Sequence, residues 1–332
     1  MKSRRRNARS AALLMLVIAG AYGVVHVGCA SDPTTPAPVP TVTATTVPTP
    51  VPGALLDLEA APAATTAASV TFAKPVAETV PAGEAVLALY EDTGLGVLDM
   101  TDAKAPELGA QIATPGKVVA VDYDEENQLA YVVDATGTVT VVGVRSAAGA
   151  AALFAVKLPD LGGEAKGLAR VGRRLFVLGA SRLFPAVLAA PSPDDDPTTL
   201  TPEAPVALPS AATHIAAGGD ALYLGQGSEV RAWTVPDTGA PVAGAAFTFE
   251  GELRGLLAKG SKALVLAKGS GLSIVDFANA AAPARLQLVP DVKDVTMGKL
   301  FGRTLAVALE RGSFHTIDLS DFAKPRALTT NK

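Results

Sequence analysis

The chain has 332 residues, 49% of them hydrophobic, with 28 basic and 32 acidic side chains giving a net charge of −4. So even a charge balance argues against an electrostatic surface for nucleic acid. The abundance of Val, Leu, Ala and Gly over charged residues argues against a disordered chain, and a single cysteine leaves no internal disulfide.

The first ten residues carry Lys2, Arg4, Arg5, Arg6 and Arg9 and no acid, and an uncharged, mostly apolar run follows over 11–28. A basic start, an apolar run and small residues at its end predict a secretory signal over 1–28. The run is close to the shortest that spans a bilayer, which leaves an uncleaved anchor as the alternative. Cys29 follows Gly28 and precedes Ala30-Ser31-Asp32. This resembles the cleavage box of bacterial lipoproteins, where the cysteine becomes the lipid-modified first residue. His26 stands where that pattern favours leucine. An ordinary cleavage site with Gly28 and Ala30 as its small residues, and a free Cys29, is the other reading. Acylation of Cys29 would fix the protein to a membrane without crossing it, each buried methylene adding about 0.8 kcal/mol. The expected location is the cell envelope, lipid-anchored at the periplasmic leaflet or the cell surface.

Residues 29–66 read as a linker behind that cysteine. Between Asp32 and Gly53 prolines and threonines recur too densely for a helix or a central strand. A semi-rigid polyproline-like stalk at about 3.1 Å per residue could hold a domain roughly 60 Å from its anchor. The folded domain is expected over 67–332.

Within that domain a phrase recurs. Gly94-Leu95-Gly96-Val97-Leu98-Asp99, followed by Pro106, returns as Gly271-Leu272-Ser273-Ile274-Val275-Asp276, followed by Pro283, and again as Thr316-Ile317-Asp318, followed by Pro325. The aspartate stands seven residues before the proline each time, and Thr234 keeps the interval to Pro241 in a weaker copy. Thr234, Asp276 and Asp318 are spaced 42 apart, the kind of period that marks a radial array of strands.

The strands predicted in chain order give four per unit. The first unit takes an inner strand over 76–80, then 86–89 and 94–100. The second takes 117–123, 128–133, 138–144 and 152–158, with turns at Asp124-Glu125-Glu126-Asn127 and Asp134-Ala135-Thr136-Gly137. Inner-strand and neighbour pairs recur over 168–178, 215–224, 256–266 and 295–307. The fold class is all-β: a β-propeller of six blades of four antiparallel strands, with seven as the alternative count. Residues 69–72 are expected to clasp the last blade beside 326–329, removing the open seam.

Leu272-Ser273-Ile274-Val275-Asp276, with Leu95-Gly96-Val97-Leu98-Asp99 and Phe314-His315-Thr316-Ile317-Asp318 as looser copies, resembles the LVIVD repeat of bacterial and archaeal β-propellers. The likeness is strong in units one, five and six. It weakens in unit two, where Gly143 replaces the aspartate, and nearly vanishes in unit three, where a proline-rich loop over 189–209 carries Asp194-Asp195-Asp196. It implies an exported or surface-associated protein and no defined reaction.

Chemistry-bearing residues are few. Asp99, Asp276 and Asp318 end strands before polar turns and are expected to accept turn amides as local caps. His214 and His315 fall in different units without an acid at ligand spacing. The triple aspartate lacks the spaced ligands of a calcium loop and reads as a solvated loop. Asp291, Asp294, Glu164 and Lys166 could face the central channel, and Trp233 and Tyr223 are expected to pack between blades. No nucleophile elbow, phosphate loop or dinucleotide fingerprint is present. The sequence therefore names no catalytic, cofactor-binding or metal-binding residue, and Cys29 alone is assigned, to lipidation. The function expected is a non-enzymatic envelope protein that binds a protein or glycan partner. A hydrolase or lyase at the channel and a calcium or small-ligand module are the alternatives.

Overall fold

The structure is a computed structural model and describes residues 12–19, 24–31, 56, 68–72, 74–102, 104–189 and 199–331. Its first sheet joins β1 (Ala12–Ala19), β2 (Val24–Ser31) and β3 (Ala68–Thr71). Six antiparallel blades follow, each running from inner to outer strand in chain order. Blade 1 is β4 (Val76–Ala82), β5 (Ala85–Tyr90), β6 (Leu95–Asp99) and β7 (Glu107–Ile112). Blade 2 is β8 (Val118–Asp124), β9 (Leu129–Asp134), β10 (Thr138–Gly143) and β11 (Ala151–Lys157). Blade 3 is β12 (Gly167–Val171), β13 (Arg174–Leu178), β14 (Arg182–Leu188) and two short pieces, β15 (Leu200–Pro202) and β16 (Val206–Ala207), which both pair with β14. Blade 4 is β17 (His214–Gly218), β18 (Ala221–Gln226), β19 (Glu229–Thr234) and β20 (Val242–Thr248). Blade 5 is β21 (Glu252–Lys259), β22 (Lys262–Lys268), β23 (Gly271–Asp276) and β24 (Ala284–Val289). Blade 6 is β25 (Val295–Phe301), β26 (Thr304–Leu309), β27 (Phe314–Asp318) and β28 (Arg326–Asn331).

Neighbouring inner strands touch in sequence from β4 through β8, β12, β17 and β21 to β25. An ion pair between Lys299 of β25 and Glu78 of β4 links the last blade to the first. The core lies between blades rather than within one, as stacked sheets require. Leu87, Leu89, Val97 and Ala130 fill the space between blades 1 and 2, and Leu129, Tyr131, Leu175 and Val177 that between blades 2 and 3. Leu222 and Trp233 pack with Phe176 and Leu178 between blades 3 and 4. Tyr223, Val265 and Phe277 fill the gap between blades 4 and 5, and Leu264, Ile274, Leu305 and Ile317 that between blades 5 and 6. The second strands of blades 1, 2, 3 and 5 are apolar on both faces because both faces are covered. A buried Leu or Val contributes about 1.5–3 kcal/mol, so only the stack of blades, not an isolated sheet, offsets the ordering of the chain.

The recurring phrase has a local cause at both its ends. Gly94 and Gly271 open the third strands of blades 1 and 5 at φ +84° and +96°. A Cβ on Gly94 would stand 2.6 Å from the Ile112 carbonyl oxygen, and one on Gly271 would strike the Val289 carbonyl, so only glycine fits. At the other end the aspartates cap tandem turns. Asp99 Oδ1 accepts Thr101 N–H at 2.9 Å, Asp276 Oδ1 accepts Ala278 N–H at 2.8 Å, and Asp318 Oδ1 accepts Ser320 N–H at 2.8 Å. Three residues on, Asp102, Asn279 and Asp321 repeat the device toward Lys104, Ala281 and Ala323. Blade 4, with Thr234 in the aspartate's place, is held differently. Arg174 of blade 3, only 5% exposed, donates to the carbonyls of Pro236 and Gly239, both at 2.8 Å, and to Glu203 at 2.6 Å.

Two expectations need correction. The clasp does not form: β3 pairs with β2, through Val24↔Thr71 to Val27↔Ala68, and β28 pairs with β27. Val70 and Phe72 instead lie against Val86, Tyr90 and Met100, on the face of blade 1 turned away from blade 2, and this apolar cover fixes where β3 runs. The 189–209 stretch is also not loop throughout. Prolines lack the N–H that an inner ladder needs, but an outer edge tolerates them, so β15 and β16 form a broken edge strand there.

Candidate site at the inner hairpins of blades 1 to 3

The turns between first and second strands share one rim of the disc. Five of the six are two-residue turns that open on a glycine with positive φ: Gly83, Gly172, Gly219, Gly260 and Gly302. Blade 2 departs from this. Its turn runs from Glu125 to Gln128, and Gln128 takes the left-handed conformation at φ 53°, where a side chain is strained. Asp124, 3% exposed, organises the turn by accepting Glu126 N–H at 3.2 Å and the Asn127 side-chain amide at 2.8 Å.

Asp122 and Asp124 alternate with Tyr123 along β8, so the two acids face blade 3 and the tyrosine faces blade 1. On the blade 3 side, Arg170 of β12 reaches Asp124 Oδ2 at 3.3 Å, donates to the Gly172 carbonyl at 2.8 Å, and sits 5.8 Å from the ring centre of Tyr131. The hydroxyl of Tyr131 and Nε of Arg170 are buried without a protein partner. Burial pushes the Asp122 carboxyl up to about 6, opposed by the charge and backbone N–H of Arg170. Asp122 is thus a half-buried acid held close to neutrality beside a fixed cation. Burial also raises the Tyr131 hydroxyl, with Asp124 adding to the shift.

On the blade 1 side lies a cleft of about 320 Å³, bounded by the hairpin turn Gly83-Glu84, by Asp99, and by Tyr123, Glu125, Gln128 and Arg145 of blade 2. Bonds from the Thr101 side chain and backbone hold the Asp99 carboxyl below the usual range, so it is ionised there. Burial raises the Tyr123 hydroxyl, which keeps it neutral.

The residues singled out in the sequence fall elsewhere. His214 bonds Thr213 Oγ1 through Nδ1 at 2.9 Å, and burial lowers its affinity for a proton. His315 is buried in blade 6 and shares a 2.8 Å bond with Thr330 Oγ1. Asp291 accepts the Leu56 N–H at 2.8 Å, tying one residue of the linker to blades 5 and 6. Glu164 and Lys166 are exposed in the stretch that leads into β12. Trp233 packs between blades 3 and 4, and Tyr223 between blades 4 and 5, where its hydroxyl donates to the Gly260 carbonyl at 2.9 Å. Cys29 lies on β2 opposite Leu14. Asp194-Asp195-Asp196 lies outside the described residues. Among the described residues no group of three His, Cys, Asp or Glu side chains could hold a metal ion, and no helix is long and apolar enough to cross a membrane. The inner-hairpin site was missed in the sequence, although two acids at alternate positions of the apolar run Val-Val-Ala-Val-Asp-Tyr-Asp were its signal.

This arrangement defines a β-propeller with polar groups gathered at one rim. No known protein-family profile matches the chain, and no curated protein matches it in sequence. Solved structures share the fold. A periplasmic gluconolactonase from Pseudomonas aeruginosa aligns over 96% of this chain and 94% of its own, with a TM-score of 0.63 and 14% identity. A Bacteroides fragilis protein named as a candidate 6-phosphogluconolactonase aligns over 98% and 99%, with a TM-score of 0.64 and 12% identity. A Bacteroides uniformis protein of the same description aligns over 81% and 93%, at 0.61 and 14%. At these identities the likeness establishes the fold alone.

Proposed function

We propose that this chain is an exported propeller of the LVIVD-repeat kind, anchored by lipid at Cys29 and carried on its Pro/Thr stalk, which serves as a binding or scaffold protein of the cell envelope. One observation supports a binding role above others. The side chains that the blades share are occupied within their own turns, as Asp99, Asp276 and Asp318 are by turn amides, and the one inner hairpin that departs from the others, Glu125–Gln128, lines a cleft at the rim of blades 1 and 2. Shared residues build the frame, and the rim is left to recognise a partner.

Intact-mass measurement of the protein from the membrane fraction tests the anchor. The expected species begins at Cys29 and carries acyl chains, and Cys29→Ser moves the protein to the soluble fraction. A membrane-bound species that keeps residues 1–28, or one with an unmodified Cys29, refutes it.

A second reading, a hydrolase at the channel, draws on Asp122. A carboxyl pushed up to about 6 beside Arg170 suits general acid–base work, and three of the structural neighbours carry lactonase names. Opening of gluconolactone or its 6-phosphate, followed with a pH indicator and abolished by Asp122→Asn, would establish this reading. No acceleration over the spontaneous reaction would remove it.

A further inference from the structure

We infer that the seam between blades 6 and 1 is a strand-docking site of the processed protein, which takes an extended, uncharged, β-branched segment of another polypeptide as a new partner for β3. This goes beyond the binding role proposed above and rests on one part of it, the removal of residues 1–28.

Five of the six gaps between blades hold a core to which both blades contribute. Among the described residues the sixth does not. Its cluster gathers Val86, Ala88, Tyr90 and Leu98 of blade 1 with Val70 and Phe72, and contains no residue of blade 6. Blade 6 shows the complement. Leu305 and Val307 of β26 are buried against blade 5, while Thr304, Ala306 and Ala308, facing the other way, are only half-buried. No other second strand alternates in this manner. Blade 1 therefore does not cover blade 6 as the other blades cover one another, and the face left over is small and uncharged.

In the full chain the first two strands stand here: β1 lies against β4, and β2 pairs with all four residues of β3. The segment opposite β3, Val24-Val25-His26-Val27, shows what chemistry the position takes, an extended run that is β-branched and without formal charge at neutral pH. Removing residues 1–28 takes away β1 and every partner of β3, which pairs with no other strand. The strand keeps its place, because Phe72 packs edge-on against Tyr90 at 6.5 Å and Lys74 pairs with Asp92 at 2.9 Å just beyond it. The processed chain thus presents a fixed strand with an unpaired ladder edge beside an incompletely covered sheet. Such an edge is a template for strand addition, where main-chain bonds give affinity and side-chain alternation gives register.

The test uses the processed protein, its N-terminus fixed by intact mass, and a fluorescent peptide of residues 20–28, Gly-Ala-Tyr-Gly-Val-Val-His-Val-Gly. Anisotropy should report binding with a micromolar Kd, and amide exchange over Ala68–Thr71 should slow when the peptide is added. A peptide with Val25→Pro, still apolar but unable to donate to the ladder, should bind tenfold or more weakly. Phe72→Ala in the protein should weaken binding as much, while Val242→Ala, on the outer edge of blade 4, should leave it unchanged. Circular dichroism melts verify that each variant folds, and Val70→Ala serves if Phe72→Ala does not. The full chain that retains residues 1–28 should not bind. The inference is overturned if the processed protein binds no peptide, if the Val25→Pro peptide or the full chain binds equally well, or if the protein alone is a dimer whose Ala68–Thr71 amides are already protected. A lipidated protein that binds no peptide would sink this inference and leave the anchor standing. A processed protein with an unmodified Cys29 that binds the peptide would do the reverse.

Discussion

Replacing Asp122 by asparagine should stabilise the protein at neutral pH and remove a pH dependence of folding. The carboxyl lies on β8 against Arg170, with Asp124 and Tyr131 beside it, and burial raises it from 3.8 to about 6. A shift of roughly two pKa units, at about 1.4 kcal/mol each, corresponds to about 3 kcal/mol. The folded carboxyl keeps its proton to higher pH than the unfolded one. Its contribution is therefore fully present below about pH 4 and lost as pH rises through 6. Asparagine resembles the protonated form and has nothing to lose, so Asp122→Asn should be more stable by up to about 3 kcal/mol at pH 7.5 and nearly equal to the parent at pH 4. Urea unfolding at both pH values, with equal m-values, would measure this. A variant less stable than the parent at pH 7.5 would show that Arg170 and the backbone amides hold the charged form better than burial disfavours it, and the reasoning would fail.

Other consequences are as direct. Gly271→Ala combines a positive φ with a collision against the Val289 carbonyl and should cost more than about 2 kcal/mol, read as a fall in Tm, whereas the same change at exposed Gly162, where nothing lies within 4 Å, should cost less. Arg174→Ala removes one cation from two carbonyls and Glu203, and should cost about 3 kcal/mol in urea unfolding, with Arg174→Lys restoring only part of it because the fork is lost. If processing ahead of Cys29 occurs, it removes all four residues that β3 pairs with, so backbone amides of Ala68–Thr71 should exchange faster in the mature protein than in the full chain.

The strands themselves were legible in the sequence because their causes are local. Residues 117–123, 128–133, 138–144 and 152–158 became β8 to β11 within a residue or two, since alternating turns of Gly, Asp and Asn bound apolar runs of the right length. The role of Asp99, Asp276 and Asp318 was equally plain, because an Asx turn reaches only two residues ahead. The misplaced clasp and the broken edge strand of blade 3 depend on which surface is left uncovered, and no local pattern carries that information.

The candidate site sits at the far end of this scale. Asp122 and Arg170 lie in different blades, as do Asp99 and Tyr123, and the stacking of blades alone sets their approach. From its sequence the chain fixes its period, its turns and its caps, since hydrogen bonding and φ preferences act over a few residues. Which side chains end up buried together, and at what pKa, was decided only when apolar faces closed on one another, because burial and Coulomb energy depend on neighbours that are distant along the chain.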